Sequence, residues 1–154
     1  MIQVAIVSRF RKKENVPMEM AATNNIESIL RNSFDRFPDV ALAVLFGSAA
    51  SGRMRGDSDV DIAIAGDSAF SWDRLQEARI VLCRELHREV DLVDLNVSKG
   101  LIFYQALTKG RIVVSRNRDL LLRFMREAVY FGEDVLPLMK QAYATKIRRF
   151  VGEC

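Results

Sequence analysis

The chain has 154 residues, of which 49% are hydrophobic and 28% are charged, as is typical of a soluble globular protein. No apolar run approaches the roughly 20 residues that a helix needs to span a membrane. The apolar start, residues 1–7, precedes its basic residues, the reverse of the order in a secretory signal. We therefore expect a single cytoplasmic domain with no membrane partner.

Charge is distributed unevenly along the chain. Residues 1–98 carry 12 basic and 15 acidic side chains, whereas residues 99–154 carry 11 basic and 5 acidic ones. The basic last third predicts a solvated helix face, or a surface for an acidic partner, nucleotide phosphates or RNA. It is not dense enough in arginine and aromatic residues to predict direct nucleic-acid binding. Cys83 and Cys154 form no disulfide framework and are expected to be free thiols.

The first predicted element is a helix, which follows an N-terminal arm of uncertain structure at residues 1–21. Asn24 and Glu27 have capping-box spacing, with Asn in place of the usual Ser or Thr. The helix is expected to stop before Pro38, because the residue before a proline disfavours the helical conformation. Apolar residues recur at helical intervals between these limits: Ile26, Ile29, Leu30, Phe34 and Phe37.

Two strands are predicted next, at about residues 40–46 and 58–65, and a polar loop (47–57) with three glycines joins them. Ser71 can cap the helix that follows. A third strand is expected at residues 90–95. The helix between the second and third strands has a predicted buried face of Trp72, Leu75, Ala78, Leu82 and Leu86.

The rest of the chain is mostly helical in pattern. Ser98 and Gly110 bracket a further helix, and a short edge strand is predicted directly after it, at residues 111–114. Gly132 and Pro137 predict a division of the final helical stretch into two helices.

This order of elements predicts an α+β (mixed α/β) fold, in which helices cover a small mixed sheet. We expect residues 22–116 to form the core and residues 117–154 to form a helical C-terminal extension of the same domain.

The most informative residues lie on the second and third strands. Side chains alternate between the faces of a strand, so Asp59 and Asp61 share a face. Adjacent carboxylates repel each other and burial penalises both, which a hard divalent cation would relieve. Asp91 could complete a three-carboxylate site, whereas Asp94 points the other way and is expected to be a surface acid.

A glycine-serine pair precedes these acids. Gly47 directly follows the first strand, where glycine permits a close backbone approach, and Ser48 adds a hydroxyl group. Backbone N–H groups in such a loop can form an anion-binding nest. If the two strands form a hairpin-like pair, the loop and the carboxylates meet at one end of the sheet, which predicts a site for phosphates and metal ions.

A Gly-Ser pair (47–48), ten further residues and an Asp-x-Asp motif (59–61) together resemble the signature of the DNA-polymerase-beta-like nucleotidyltransferase superfamily. Residues 89–95 resemble its third-acid strand, and residues 107–116 resemble its closing helix and edge strand. The chain is similar in size to the minimal nucleotidyltransferases, in particular the MntA-type antitoxins encoded beside HEPN-domain toxins. The resemblance extends over about residues 22–150.

The resemblance implies that AMP is transferred from ATP to a tyrosine hydroxyl of the partner toxin, an RNase that is thereby neutralised. It implies a hetero-oligomer with that HEPN-domain toxin. It also implies two Mg²⁺ ions, held by three residues that take part in catalysis: Asp59, Asp61 and Asp91.

The same loop would bind the nucleoside triphosphate. In one respect the chain departs from the family pattern, because many relatives have a basic residue where this chain has Ser51. Arg53 or Arg55 could supply the phosphate-facing cation instead. The candidates for nucleotide binding are Gly47, Ser48, Arg55 and Ser58.

Two alternative functions remain open. One is nucleotidyl transfer to a small molecule, as in aminoglycoside nucleotidyltransferases, although these usually carry a larger second domain. The other is a non-catalytic module that neutralises a toxin by binding alone. The three acids argue against such a module, because paired carboxylates without a ligand cost stability.

We expect the single histidine, Trp72 and the three tyrosines to have structural roles rather than catalytic ones. His87, near a helix end, is expected to be a surface or capping residue. Trp72 is predicted to lie in the core rather than to stack on a base. Tyr104, Tyr130 and Tyr143 are interpreted as core or partner-surface residues.

Overall fold

The computed structural model describes the backbone of residues 18–152 and the side chains of residues 22–152, so most of the predicted N-terminal arm lies outside the described residues. In this part of the chain no helix is both long and apolar enough to cross a membrane. The helices are α1 (Met18–Phe34), α2 (Gly47–Ala50), α3 (Trp72–Leu86), α4 (Leu101–Lys109), α5 (Arg118–Tyr130) and α6 (Leu136–Gly152). The strands are β1 (Leu42–Phe46), β2 (Val60–Ala65), β3 (Val90–Asp94) and β4 (Arg111–Ser115).

The four strands form a mixed sheet in the order β3-β2-β1-β4. β1 pairs antiparallel with β2 and β4, and β2 pairs parallel with β3. Parallel neighbours need a crossover connection, which contains α3. The topology confirms the predicted mixed sheet, the hairpin-like pairing of the first two strands and the edge position of the last one.

Helices cover both faces of this sheet. On one face, α1 and α3 bury side chains such as Leu82 against the strands. On the other, α4 and α5 contribute Phe103 and Phe124, whose rings pack edge to face with centroids 5.3 Å apart. Ala63 of β2 belongs to this second cluster, so Asp61, two residues earlier, lies on the α4–α5 side.

Helix α1 is longer than the sequence predicted. It begins at Met18, so Asn24 lies inside the helix and its predicted capping box is wrong. The buried hydroxyl of Thr23 donates a hydrogen bond to the carbonyl of Ala49 at 3.1 Å. This tertiary contact holds the turn before Asn24 in helical conformation, which local capping signals could not indicate.

A single arginine binds three backbone carbonyls, one at the end of α1 and two in the turns that follow it. Nη1 of Arg116 donates to the carbonyls of Phe37 and Val40, both at 2.8 Å, and Nη2 donates to that of Phe34 at 3.0 Å. The last carbonyls of a helix lack partners within it. Arg116, just after β4, therefore fixes the end of α1 to the edge of the sheet.

The predicted division of the final helical stretch into two α-helices, α5 and α6, occurs near Gly132 and Pro137, but the two helices are joined without a loop. A π-helical turn at Phe131–Val135 joins α5 to α6. A Cβ on Gly132 would lie 2.7 Å from Cε2 of Tyr104, so glycine lets α4 approach this turn closely. Pro137 is tolerated because the regular hydrogen-bond ladder is already shifted there.

Candidate functional site

Three strand termini place the predicted acids together. Asp61 pairs with Phe46 at the end of β1 and with Asp91 at the start of β3. Register partners in neighbouring strands point to the same face, so Asp61 and Asp91 lie side by side. Asp59 directly precedes β2, which begins later than the predicted residues 58–65. We call this part of the sheet, with Asp59, Asp61 and Asp91, the acid end.

The acid end concentrates uncompensated negative charge. Burial raises the pKa of Asp61, and the nearby Asp91 and Asp59 carboxylates raise it further. No hydrogen bond or ion pair within residues 22–152 engages the side chains of these three aspartates. The donor set is thus the hard oxygen chemistry that a divalent cation prefers.

The carboxylates do not form a closed cage. Among residues 22–152, no three Asp, Glu, His or Cys side chains are arranged as a formed metal site. Asp59 and Asp91 are exposed and Asp61 is half-buried. The structure therefore brings together the predicted ligands, and coordination would require their carboxylates to turn towards one another.

Gly47 connects the loop to the acids. It has a φ of +67°, and a Cβ at this position would overlap Oδ2 of Asp61 and lie 2.9 Å from its Cγ. Only glycine permits both the left-handed backbone and this approach without strain. The sequence correctly placed Gly47 and the Asp59–Asp61 segment at one end of the sheet.

A cleft of about 440 Å³ opens beside Gly47. Two of its walls are the segment after β1, which begins with the short helix α2, and the last turn of α4. Within the loop, Nε of Arg53 donates to the hydroxyl of Ser51 at 3.4 Å, and that hydroxyl donates to the carbonyl of Ser48 at 3.2 Å. The residues that line the cleft are Gly47, Ser48, Ser51, Arg53, Gln105 and Lys109.

Sequence reasoning missed Gln105 and Lys109. Lys109 ends α4, and β4 follows immediately beside β1. A Cβ on Gly110 would lie 2.5 Å from Cγ1 of Val44, so this glycine lets the end of α4 pack tightly against the sheet. The Lys-Gly pair before the edge strand was the available signal.

Arg55 and Ser58, two of the predicted nucleotide ligands, contact each other within the loop. The Ser58 hydroxyl accepts a hydrogen bond from the backbone N–H of Arg55 at 3.0 Å. Nη1 of Arg88 donates to the carbonyl of Gly56 at 2.8 Å. Arg55 is exposed and is not among the cleft-lining residues, so Arg53 is the loop arginine that the structure places in the cleft.

The prediction that Asp94 is a surface acid is wrong. Asp94 is 4% exposed, and its carboxylate accepts hydrogen bonds from the backbone N–H groups of Phe70 at 2.8 Å and Asn96 at 2.9 Å. It lies at the far end of β3 from Asp91 and, as predicted, on the other face. Its role is to hold the connections that leave β2 and β3.

The predictions for Trp72, His87 and the three tyrosines had mixed outcomes. Trp72 is 73% exposed, so its placement in the core was wrong. It starts α3 next to the capping residue Ser71, outside the inward face of that helix. His87 caps the end of α3 with a φ of 52°, as expected of a capping residue. Tyr104 is half-buried, whereas Tyr130 and Tyr143 are exposed.

Comparisons with known proteins agree with this geometry. The sequence profile described as polymerase beta, nucleotidyltransferase, matches residues 24–119. The protein adenylyltransferase MntA of Shewanella oneidensis is 31% identical over 106 residues, which cover 66% of this chain and 71% of that protein.

Solved structures share the fold. A toxin–antitoxin crystal structure with AMP-PNP matches with a TM-score of 0.67 and 24% identity, over 79% of this chain and 97% of that one. A mutant MntA toxin–antitoxin complex matches with a TM-score of 0.63 and 27% identity, over 80% of this chain and 95% of that one.

Proposed function

Because this chain belongs to the polymerase-beta nucleotidyltransferase family and is a homologue of the MntA protein adenylyltransferase, we propose that it transfers AMP from ATP to a tyrosine hydroxyl of a HEPN-domain RNase toxin. The chain would then be the antitoxin of the pair, acting in the cytoplasm as part of a hetero-oligomer. The observation that carries this proposal is the acid end, with Asp61 and Asp91 in register and Gly47 pressed against Asp61.

Asp59, Asp61 and Asp91 would hold two Mg²⁺ ions. The raised pKa of Asp61 supports this role, because a bound cation would offset both its burial and the repulsion from its neighbours. The ions would neutralise phosphate charge and make the acceptor hydroxyl a better nucleophile.

The cleft next to the acids suits the triphosphate. Gly47 and Ser48 would contact the β- and γ-phosphates through backbone N–H groups and a hydroxyl. Arg53 and Lys109 line the same cleft and would supply the positive charge that Ser51 lacks. Two further candidates in this loop are Arg55, whose side chain would have to move towards the cleft, and Ser58.

The proposed reaction is an in-line displacement at the α-phosphorus of ATP. The tyrosine oxygen forms a bond to the α-phosphorus, the bond from that phosphorus to the bridging oxygen breaks, and pyrophosphate leaves. Asp91 would accept the hydroxyl proton. The AMP group adds bulk and negative charge to the toxin, which would block its RNase site.

The test is a transfer assay with the purified chain, labelled ATP and the HEPN-domain protein encoded beside it. We expect label on a tyrosine of that protein with Mg²⁺, and none with EDTA or with the Asp59→Asn, Asp61→Asn double variant. Undiminished transfer by the double variant would overturn the proposed metal site.

Two other results would replace the proposed function. Label on an aminoglycoside but not on protein would identify a small-molecule nucleotidyltransferase. Full inhibition of the toxin by the double variant, without nucleotide or metal, would identify a binding module.

A further inference from the structure

Helix α6 presents an apolar seam to solvent. None of its residues is buried. Tyr143, Ile147 and Phe150 are 61%, 61% and 72% exposed, and Leu136 and Met139 continue the same side at intervals of three or four residues. Such spacing places side chains on one face of a helix. We call these five residues the α6 seam.

All charged side chains of α6 are basic. Lys140 lies three residues before Tyr143 and Lys146 lies three residues after it, so both border the seam. The sequence of α6 contains no acidic residue. The charged side chains of the helix are Lys140, Lys146, Arg148 and Arg149.

The base of α6 is fixed close to the nucleotide cleft. The π-helical turn packs on α4, where the rings of Phe131 and Tyr104 have centroids 5.7 Å apart. The next residue after Tyr104 is Gln105, which lines the cleft. A protein bound to α6 would therefore be held relative to the same helix that borders the proposed ATP site.

We propose that the α6 seam docks an acidic amphipathic helix of the acceptor protein; this inference rests on the proposed function, which requires such a protein. The apolar seam would pack between the two helices, and acidic side chains on the partner would meet Lys140 and Lys146. Helix-in-groove and helix-on-helix recognition use this combination of regularly spaced apolar anchors and flanking charges.

The charge and shape of the α6 seam favour an acidic helix over a second copy of the chain or a membrane surface. A second copy of the chain would bring the basic borders of two seams together, where like charges repel. A membrane surface binds basic helices that have one large apolar face and a separate polar face, whereas in α6 the exposed Leu138 lies away from the seam. The seam is narrow, since Lys140 and Lys146 limit it on both sides, as in a helix–helix contact.

The test is binding of the adjacent HEPN-domain protein to the purified chain without nucleotide or metal, so that docking is measured apart from transfer. We expect Ile147→Glu to weaken binding by at least about tenfold. Leu138→Glu is the matched control, because Leu138 is 65% exposed on the same helix but lies off the seam. Circular dichroism and Mg²⁺-ATP binding check that both variants remain folded.

A charge test complements the apolar one. We expect the Lys140→Glu, Lys146→Glu variant to weaken binding by about tenfold, and added salt to weaken wild-type binding while affecting this variant less. If Ile147→Glu binds like wild type, or Leu138→Glu loses as much affinity, the proposal is wrong.

Measurements on the same variants would also detect a second copy of the chain or a membrane as the occupant of the seam. A wild-type dimer that Ile147→Glu disrupts, with unchanged affinity for the HEPN-domain protein, would overturn the proposal in favour of a second copy. Seam-dependent binding to phosphatidylserine vesicles, again with unchanged protein affinity, would overturn it in favour of a membrane. Seam-dependent protein binding without any AMP transfer would support docking and refute the proposed function.

Discussion

The two ends of the central sheet treat aspartates in opposite ways. At the acid end, the side chains of Asp61 and Asp91 lie side by side and receive no hydrogen bond from any side chain or backbone group of residues 22–152. At the opposite end, the carboxylate of Asp39 accepts hydrogen bonds from Nη2 and Nε of Arg74 at 2.6 Å and 2.8 Å, and Asp94 accepts from backbone N–H groups. Carboxylates that the fold satisfies hold the structure together, whereas those left unsatisfied remain available for a cation.

The pKa values of the aspartates at the two ends differ in the same way. The hydrogen bond from Arg74 lowers the pKa of Asp39, whereas burial raises that of Asp61. The fold thus favours the charged form of one carboxylate and disfavours that of the other. Substitutions at the two ends should therefore separate loss of activity from loss of stability.

The largest effect is expected for Asp61→Asn. We expect AMP transfer to fall by about 1,000-fold, because a ligand is lost from the metal ions that would neutralise charge on the reacting phosphate. The free energy of unfolding should stay the same or rise, because a disfavoured charge has been removed. Label-transfer rates and urea denaturation measure the two quantities. A large loss of stability with transfer retained would contradict the distinction between the two ends.

Gly47→Ala tests how closely the loop must approach the acids. Its Cβ would push on Asp61, so we expect transfer to fall by the order of 100-fold, in addition to a backbone strain of about 1–2 kcal/mol. Gly52→Ala is the control, because Gly52 has a φ of +69° but no atom within 4 Å of an added Cβ. Equal losses of activity in the two variants would show that backbone strain alone is responsible.

At the opposite end, Asp94→Ala should affect stability and spare catalysis. Loss of the charged acceptor leaves the N–H groups of Phe70 and Asn96 without their carboxylate, at a cost of about 2 kcal/mol. Transfer per folded molecule should be unchanged. Asp67→Ala should unfold nearly like the wild type, because Asp67 is exposed after the end of β2 and accepts only a long hydrogen bond, from Nδ2 of Asn117 at 3.5 Å. Impaired transfer at full stability would place Asp94 in the catalytic site.

The smallest expected effect is on the pH dependence of stability without Mg²⁺. Because folding raises the pKa of Asp61, its contribution to the free energy of unfolding is greatest in acid and falls as the pH rises through that pKa. Asp39 has the opposite sign: its contribution is present above its ordinary pKa and is lost as the pH falls through the lowered one. Denaturation across the acidic range, compared with Asp61→Asn and Asp39→Asn, should give difference curves of opposite slope.

Local patterns in the sequence predicted most of the fold and the acid end. The mixed sheet follows from alternating apolar residues, and Gly47 and Asp61 meet because a hairpin-like pair returns the chain to the same end. The features that the sequence did not predict depend on tertiary contacts. Lys109 enters the cleft because α4 packs on β1, and Asp94 is buried because the chain near Phe70 crosses above it. Neither contact leaves a periodic signal.

The guanidinium of Arg116 joins parts of the chain that are far apart, since its contact with the carbonyl of Phe34 spans 82 positions. During synthesis the carbonyls of Phe34, Phe37 and Val40 can therefore bind this guanidinium only after the fourth strand has emerged. A nascent or truncated chain that ends before residue 111 would lack both the edge strand and the Arg116 contacts at the end of α1. Cooperative closure of the domain would thus come late on the ribosome, after the acids have already emerged.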